Sequence, residues 1–227
     1  MEDRLILNDT FKIQNPVSFW DDYEFGAPDQ FAMYKTNFLS YTAGEWTVTE
    51  TDAGATEALT DVAGGGLLIT NSAADDDLVG MQLGAEAFKP ATNKHIWVLA
   101  KFQVSDATQS DIYVGLSDTD TGLPTLPSDG IGFHKTDGSA TLQFSSISAS
   151  VASTEANVGT LVAATDIILG FKVSGTNTIE AWVNNFKIAD IQTNIPTTEM
   201  RLSIAIRNGE AVAKTMTIKQ LIAVQEL

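Results

Sequence analysis

The residues with the most chemical potential in this chain are its carboxylates, and the first group is Glu50, Asp52 and Glu57. Glycoside hydrolysis needs two carboxyl groups facing one cleft, and a strand spaced Glu-x-Asp-x-x-Glu delivers them by alternation. Glu50 and Asp52 share a face. Glu57 stands seven residues from Glu50, an odd offset that puts it on the opposite face of a continuous strand, and Gly54 interrupts that strand. Glu180 sits alone among apolar neighbours. No acid–nucleophile pair emerges, so the chain is expected not to be an enzyme. His95 opens one strand and His134 ends another, with no cysteine or second histidine at metal-ligand spacing. Neither a Gly-x-Ser-x-Gly elbow nor a phosphate-binding Gly-x-x-x-x-Gly-Lys-Ser/Thr is present, and Gly64-Gly65-Gly66 reads as a turn.

Two binding chemistries are better represented. Asp118-Thr119-Asp120 and Asp75-Asp76-Asp77 put hard oxygen donors on loops, which makes Asp118 and Asp120 the calcium candidates. Neither run has the glycine and distal glutamate of an EF-hand loop, and acidic loops in so acidic a chain are ordinarily just solvated. No cofactor and no metal are therefore expected. A saccharide site wants an aromatic platform flanked by amide or carboxylate groups, because sugar faces stack on rings while their hydroxyls need partners. Trp182 beside Asn184 and Asn185 meets that description, as do Trp20 and Tyr23 beside Asp21 and Asp22. The competing reading of Trp182, from its alternation with Ala181 and Val183, is burial between sheets.

These residues must be positioned by strands. In His95–Val104 the side chains of Ile96, Val98, Ala100, Phe102 and Val104 share one face, and Trp97, Leu99, Lys101 and Gln103 the other. One apolar and one mixed face belongs to a sandwich, not to a parallel sheet covered by helices. Ile112 and Val114 repeat the pattern, and Trp46-Thr-Val-Thr-Glu-Thr, Leu67-Leu-Ile-Thr and Leu78-Val-Gly-Met-Gln-Leu add shorter strands. Thr178–Val183, Asn184-Asn185 and Phe186–Ile191 form the strongest hairpin signal, since asparagine tolerates the positive φ of tight turns. Residues 145–165, rich in Ser, Ala and Thr, read as a loop or a weak edge hairpin. The fold class is all-β: a two-sheet antiparallel jelly-roll sandwich over 46–227, preceded by an irregular N-terminal arm over 1–45. That arm concentrates aromatics, among them Phe11, Phe19, Trp20, Tyr23, Phe25 and Phe31, with no clean period and with Pro16, Gly26 and Pro28 breaking it. Its rings either pack over their own domain or anchor a neighbouring subunit.

Composition narrows the partners. At 227 residues one undivided sandwich is long enough to bury roughly 70% of its unfolded surface without a metal or disulfide. Thirteen Lys and Arg against 29 Asp and Glu leave a net charge of −16, a surface that repels phosphate backbones, so no nucleic acid is expected. No apolar run approaches the ~18 residues of a membrane span, so no membrane is expected either. The absence of cysteine, and an opening Met-Glu-Asp-Arg-Leu-Ile-Leu that lacks the order of a signal peptide, suit assembly in a reducing cytoplasm.

The order Trp97-Val-Leu-Ala-Lys-Phe-Gln-Val, Asp106 to Leu116, Asp129-Gly-Ile-Gly-Phe and Leu202-Ser-Ile-Ala-Ile-Arg-Asn-Gly-Glu resembles tailed-phage structural proteins. Those it resembles are concanavalin A-like jelly-rolls that decorate, or cement, the phage head. The resemblance covers roughly 46–227 and touches the arm only through Trp20-Asp-Asp-Tyr. It implies a non-enzymatic virion subunit, assembled in the host cytoplasm and bound to the major capsid protein on the outer capsid surface. It also implies a homo-oligomer, with a trimer favoured. Trp20, Tyr23, Phe25 and Phe31 would then be the arm's anchors. The alternative expectation is a glycan-binding module that meets host polysaccharide through Trp182, Asn184 and Asn185.

Overall fold

The computed structural model describes residues 30–227. Fifteen strands among them form two sheets in which every pairing is antiparallel. The first sheet runs β13 (Phe186–Ile191), β12 (Thr178–Val183), β11 (Ile167–Ser174), β6 (His95–Val104), β15 (Thr215–Glu226), β4 (Leu67–Thr70) and β3 (Thr56–Leu59). β1 (Phe31–Thr36) also pairs with β15 in this sheet. The second sheet runs β10 (Val151–Thr160), β9 (Thr141–Ser148), β8 (Gly130–Lys135), β7 (Ser110–Ser117), β14 (Arg201–Asn208), β5 (Leu78–Leu83) and β2 (Trp46–Glu50). This is the jelly-roll sandwich that the alternating strands predict.

The core lies where the two apolar faces meet. Ile96, Val98 and Phe102 of β6 join Ile112, Val114 and Leu116 of β7 in one buried cluster. The rings of Phe133, Phe144 and Phe171 step across it at centroid distances of 4.7 and 5.7 Å. Each such side chain contributes roughly 1.5–3 kcal/mol by leaving water. The predicted Asn184-Asn185 turn has φ of 49° and 68°, the left-handed pair that a tight hairpin requires. Residues 145–165 hold an edge hairpin, β9–β10, whose outer strand bulges between Glu155 and Gly159. Such a bulge blunts an exposed edge.

Three local features shape the outside. β15 shifts register between Ile218 and Gln220, so its first part pairs with β4 and its second with β1. The segment that the sequence reads as an irregular arm thus supplies a regular strand, β1, whose pairing with β15 closes the side of the sandwich where β2 and β3 are the edges. Asp77 is sealed from solvent and its carboxylate accepts hydrogen bonds from Thr51 Oγ1 and Asp52 N, both at 3.0 Å, and from Ser72 N. Those bonds hold the β2–β3 connection to the turn after β4. On the outward face of the first sheet, Trp97, Trp182, Ile222 and Val224 pack together with Phe31 and Leu99. Trp182 is buried, but not between the sheets. Ala181 and Val183 point into the core, and a period of two sends Trp182 the other way.

Candidate functional site

The broad outward face of the second sheet is where its central strands could present a ligand surface. By strand parity β7 offers Asp111, Tyr113, Gly115 and Ser117 there, and β8 offers Gly130, Gly132 and His134. The loop between these strands, residues 118–129, folds back over them. Leu123 is 1% exposed and packs with Tyr113, Leu78 and Ala205, with Leu126 alongside. Gln82 pins the loop: its amide nitrogen donates to Asp118 O at 2.9 Å, and its oxygen accepts from Asp120 N at 3.1 Å. Tyr113 lies flat beneath, its hydroxyl donating to Leu116 O at 2.7 Å. Only glycine fits under that ring. A Cβ on Gly132 would stand 2.8 Å from Val114 O and 3.0 Å from the Tyr113 ring. Next to it, Ser145 Oγ lies 2.8 Å from His134 Nε2 and 2.7 Å from Thr154 Oγ1. Burial holds the His134 imidazole down to about 4, so the ring is neutral. This face is occupied by the protein's own loop.

The side closed by β1 is different. After β1 the chain passes the buried Phe38 and a short turn, Ala43–Glu45, before entering β2. Between these segments lies a cleft of about 330 Å³, lined by Tyr34, Lys35, Tyr41, Thr42, Glu45 and Trp46 among others. That volume is at the lower end for small-ligand pockets. Tyr34 crosses Trp46 edge-on, with ring centroids 5.7 Å apart and planes at 88°. Burial first, and Glu45 second, push the Tyr34 phenol up to about 12, while a bond from the Trp46 indole acts against them.

Behind Tyr41 the two sheets contribute one carboxylate each. Glu50 ends β2, opposite Val79, and Glu57 lies in β3, opposite Ile69. Val79 and Ile69 both face the core, so the two glutamates flank the same open side. Burial pushes the Glu57 carboxyl up, and Glu50 adds to it. Burial and then Glu57 likewise raise the Tyr41 phenol. The Tyr41 hydroxyl and one Glu57 oxygen are sealed from water and lack a hydrogen-bond partner among the described residues. Glu50 and Glu57, separated by offset in the sequence, are therefore brought together by the fold. The chain turns at Gly54, where φ is 114°, and returns on the other sheet.

The other predicted site residues are dispersed. Trp20, Tyr23 and Phe25 lie outside the described residues; Phe31 is half-buried against the Trp97 cluster. Trp182 is 4% exposed and has no face left for a sugar, whereas Asn184 and Asn185 are exposed at their turn. Asn184 Oδ1 accepts from Ile168 N at 2.9 Å, so that side chain serves the hairpin. The exposed ring beside the two asparagines is Phe186, at 75%. Asp118 and Asp120 stand at the start of the loop that covers the second sheet. Burial raises the Asp118 carboxyl, and Asp120, Asp129 and Glu86 add repulsion. Among the described residues no three His, Cys, Asp or Glu side chains converge as a metal site. Sequence reasoning missed Tyr34, Tyr41, Glu45 and Trp46 as a group; their closeness in sequence, with four aromatics (Phe38 included) inside 13 positions, was the available signal.

No protein-family model matches the chain, and no curated protein is similar to it. Solved structures are similar over nearly its whole length. A prokaryotic β-1,3-1,4-glucanase (lichenase) from a mouse hindgut metagenome superposes with a TM-score of 0.63 at 13% identity, covering 85% of this chain and 98% of that one. An endo-1,3-β-glucanase from Streptomyces sioyaensis gives 0.62 at 10% identity, over 88% and 98%. The Emp47p carbohydrate recognition domain gives 0.60 at 12% identity, over 88% and 97%. At these identities the likeness shows the fold: the chain is a concanavalin A-like jelly-roll, a fold found in glucanases and carbohydrate recognition domains alike.

Proposed function

We propose that this protein is a carbohydrate-binding module that holds saccharide in the cleft beside β1 and does not hydrolyse it. The observation that carries the reading is the cleft itself: the half-buried rings of Tyr34 and Tyr41 next to the carboxylate of Glu45 and the hydroxyl of Thr42, with the buried Trp46 behind them. Rings suit the C–H faces of a sugar, and the polar groups suit its hydroxyls. The glucanases and recognition domains that share the fold support the reading by analogy only. Against hydrolysis, Glu45 is the one acid among the residues that line the cleft, and the outward positions of β5, β7, β8 and β14 carry one acid, Asp111, engaged by Arg207 Nε at 2.7 Å. A hydrolase needs two carboxyls roughly 5–9.5 Å apart on either side of the scissile bond. The capsid-decoration reading rests on the strand-order resemblance alone, and three of its four anchors lie outside the described residues.

The test is a panel of neutral, cationic and anionic oligosaccharides titrated by calorimetry, with chemical-shift mapping of the wild-type protein. Binding should perturb Tyr34, Tyr41 and Trp46, and Tyr41→Ala should weaken it at least tenfold while the sandwich keeps its β circular-dichroism spectrum. No binding to any saccharide, or perturbations confined to the Asn184-Asn185 turn, sinks the reading. Reducing ends released from β-glucans would sink the non-hydrolytic half of it.

A further inference from the structure

We propose that the free edge of β10 pairs with the same edge of a second copy of this chain, joining the two second sheets into one continuous sheet across a two-fold axis. The path of the first sheet ends at β13 and β3, and that of the second at β10 and β2. These four ends are guarded very differently. β13 carries Lys187 and Asp190, Lys187 is paired with Glu180 and Asp190, and the ladder to β12 is bulged. β3 is four residues long and contains Glu57, and β2 is five residues long and ends at Glu50. Charge, bulges and shortness are the devices that keep a sheet edge from pairing with another chain. β10 is ten residues long, and Glu155 is its one charged residue. Among the described residues its backbone pairs only with β9. Its bulge begins after Glu155, which blunts the second half of the edge and leaves residues 151–155 regular and open.

The surroundings are as neutral as the strand. From 138 to 165 there is one charged residue in 28 positions, where the chain's 19% would place about five. Ala152, Thr154, Ala156, Ala163 and Ala164 are exposed here, small side chains that let a second backbone approach. Val151 opens the strand at 57% exposure, and Val162 follows it at 60%. That neutrality selects the occupant. A chain of net charge −16 repels its own copies over most of its surface, so copies can meet only where charge is missing. A basic partner would be drawn to acidic surface instead. Two antiparallel copies of one strand are self-complementary, as a two-fold interface requires, and each supplies main-chain hydrogen bonds to the other. β2, whose Trp46 lines the cleft, is at the far end of the second sheet, so pairing at β10 leaves both clefts open. The pairing therefore does not depend on what the cleft binds.

Sedimentation equilibrium of the full chain at two salt concentrations tests the pairing. Between about 0.01 M and about 1 M the screening length falls from about 30 Å to about 3 Å, so repulsion between the acidic bodies fades while the neutral edge is unaffected. A monomer–dimer equilibrium should appear and tighten about tenfold or more over that range. Ala152→Glu and Thr47→Glu each add one negative charge at an exposed strand position, the first on β10 and the second on β2. Ala152→Glu should weaken the dimer about tenfold or more, and Thr47→Glu should leave it within about threefold. Melting temperatures at low protein concentration check that both variants fold. Should Ala152→Glu not fold, amide hydrogen exchange in the wild-type chain takes its place, and the amides of residues 151–155 should exchange more slowly as concentration rises. A monomer at millimolar concentration in both salts, a trimer, or a dimer that loosens with salt overturns the proposal. So does a dimer that responds equally to the two substitutions, or exchange in residues 151–155 that is independent of concentration.

Discussion

Tyrosine occupies two contrasting environments in this protein. Tyr113 lies on the outward face of the second sheet, fully buried under Leu123 and Leu126, with its hydroxyl bonded to Leu116 O. Burial drives its phenol well above the ordinary value. Tyr34 and Tyr41 lie at the side closed by β1, half-buried around a cleft. The first tyrosine is part of a sealed wall, and the second pair is available to a ligand. The difference teaches where function can sit. The wide face that the architecture makes available is consumed by the β7–β8 loop, and the cleft proposed for saccharide lies on a narrow side where a bulged strand, β15, must accept two partners. If this contrast is correct, perturbing the sealed face should change stability without touching binding, and perturbing the cleft should do the reverse.

The largest expected effect is on the sealed face. Leu123→Ala removes the apolar plug over Tyr113 and should cost about 2–4 kcal/mol, as other buried leucine truncations do. Denaturant unfolding would measure it. Saccharide affinity should stay within twofold, because distant sites combine additively. A loss of binding in Leu123→Ala would break the comparison, since the two regions would then be coupled.

Acid should separate the regions next, because their titrating groups have opposite signs. His134, under the sealed face, has its folded-state value held down to about 4 from 6.5. Between those values the unfolded chain takes up a proton that the folded chain refuses, so stability falls as the pH drops through that window. The full loss is on the order of 3 kcal/mol by the pKa–energy conversion. His134→Gln should flatten the slope between pH 6.5 and 4. Glu57, beside the cleft, is shifted upward by burial and Glu50. Its neutral form is favoured by folding, so it contributes stability below its ordinary value that is lost as the pH rises through the folded-state value. Glu57→Gln should therefore raise stability at neutral pH, by no more than about 1 kcal/mol. A destabilised Glu57→Gln would show that the ionised carboxylate has a partner.

Much of the sealed half was legible in the sequence, and little of the cleft was. β6, β7 and the Asn184-Asn185 hairpin announce themselves because one face is continuously apolar or a turn demands positive φ. β10 does not, since an edge strand of Val, Ala, Ser and Thr exposes both faces and carries no contrast between them. β1 fails for a related reason. Phe31 and Met33 on one face and Ala32 and Tyr34 on the other are all apolar or aromatic, so no period of two stands out. Trp182 was on a correctly located strand, and parity alone would have put it opposite Ala181 and Val183. The pairing of Glu50 with Glu57 was invisible to offset counting, which holds within one strand and says nothing when a turn sends the chain to the other sheet. That 118–129 folds back over β7 and β8 has no local signature, because the pattern of its two leucines is satisfied by any nearby apolar surface.

The smallest expected effect is the sharpest test of the cleft. The Tyr41 hydroxyl is sealed from water and has no hydrogen-bond partner among the described residues. An unbonded buried hydroxyl contributes nothing to offset its desolvation, so removing it should be neutral or slightly stabilising. Tyr41→Phe is thus expected to change unfolding stability by less than about 0.5 kcal/mol, in contrast to the cost of Leu123→Ala. The ring that stacks on sugar is retained, so affinity should also be close to wild type, while Tyr41→Ala loses it. A Tyr41→Phe variant destabilised by more than about 1 kcal/mol would mean that the hydroxyl is bonded after all. The acceptor to test is the Glu57 carboxylate, which after burial raises the Tyr41 phenol. In that case Tyr41→Phe and Glu57→Gln should fail to add in a double-mutant cycle, and the side closed by β1 would be held together by the same polar groups that were assigned to the ligand.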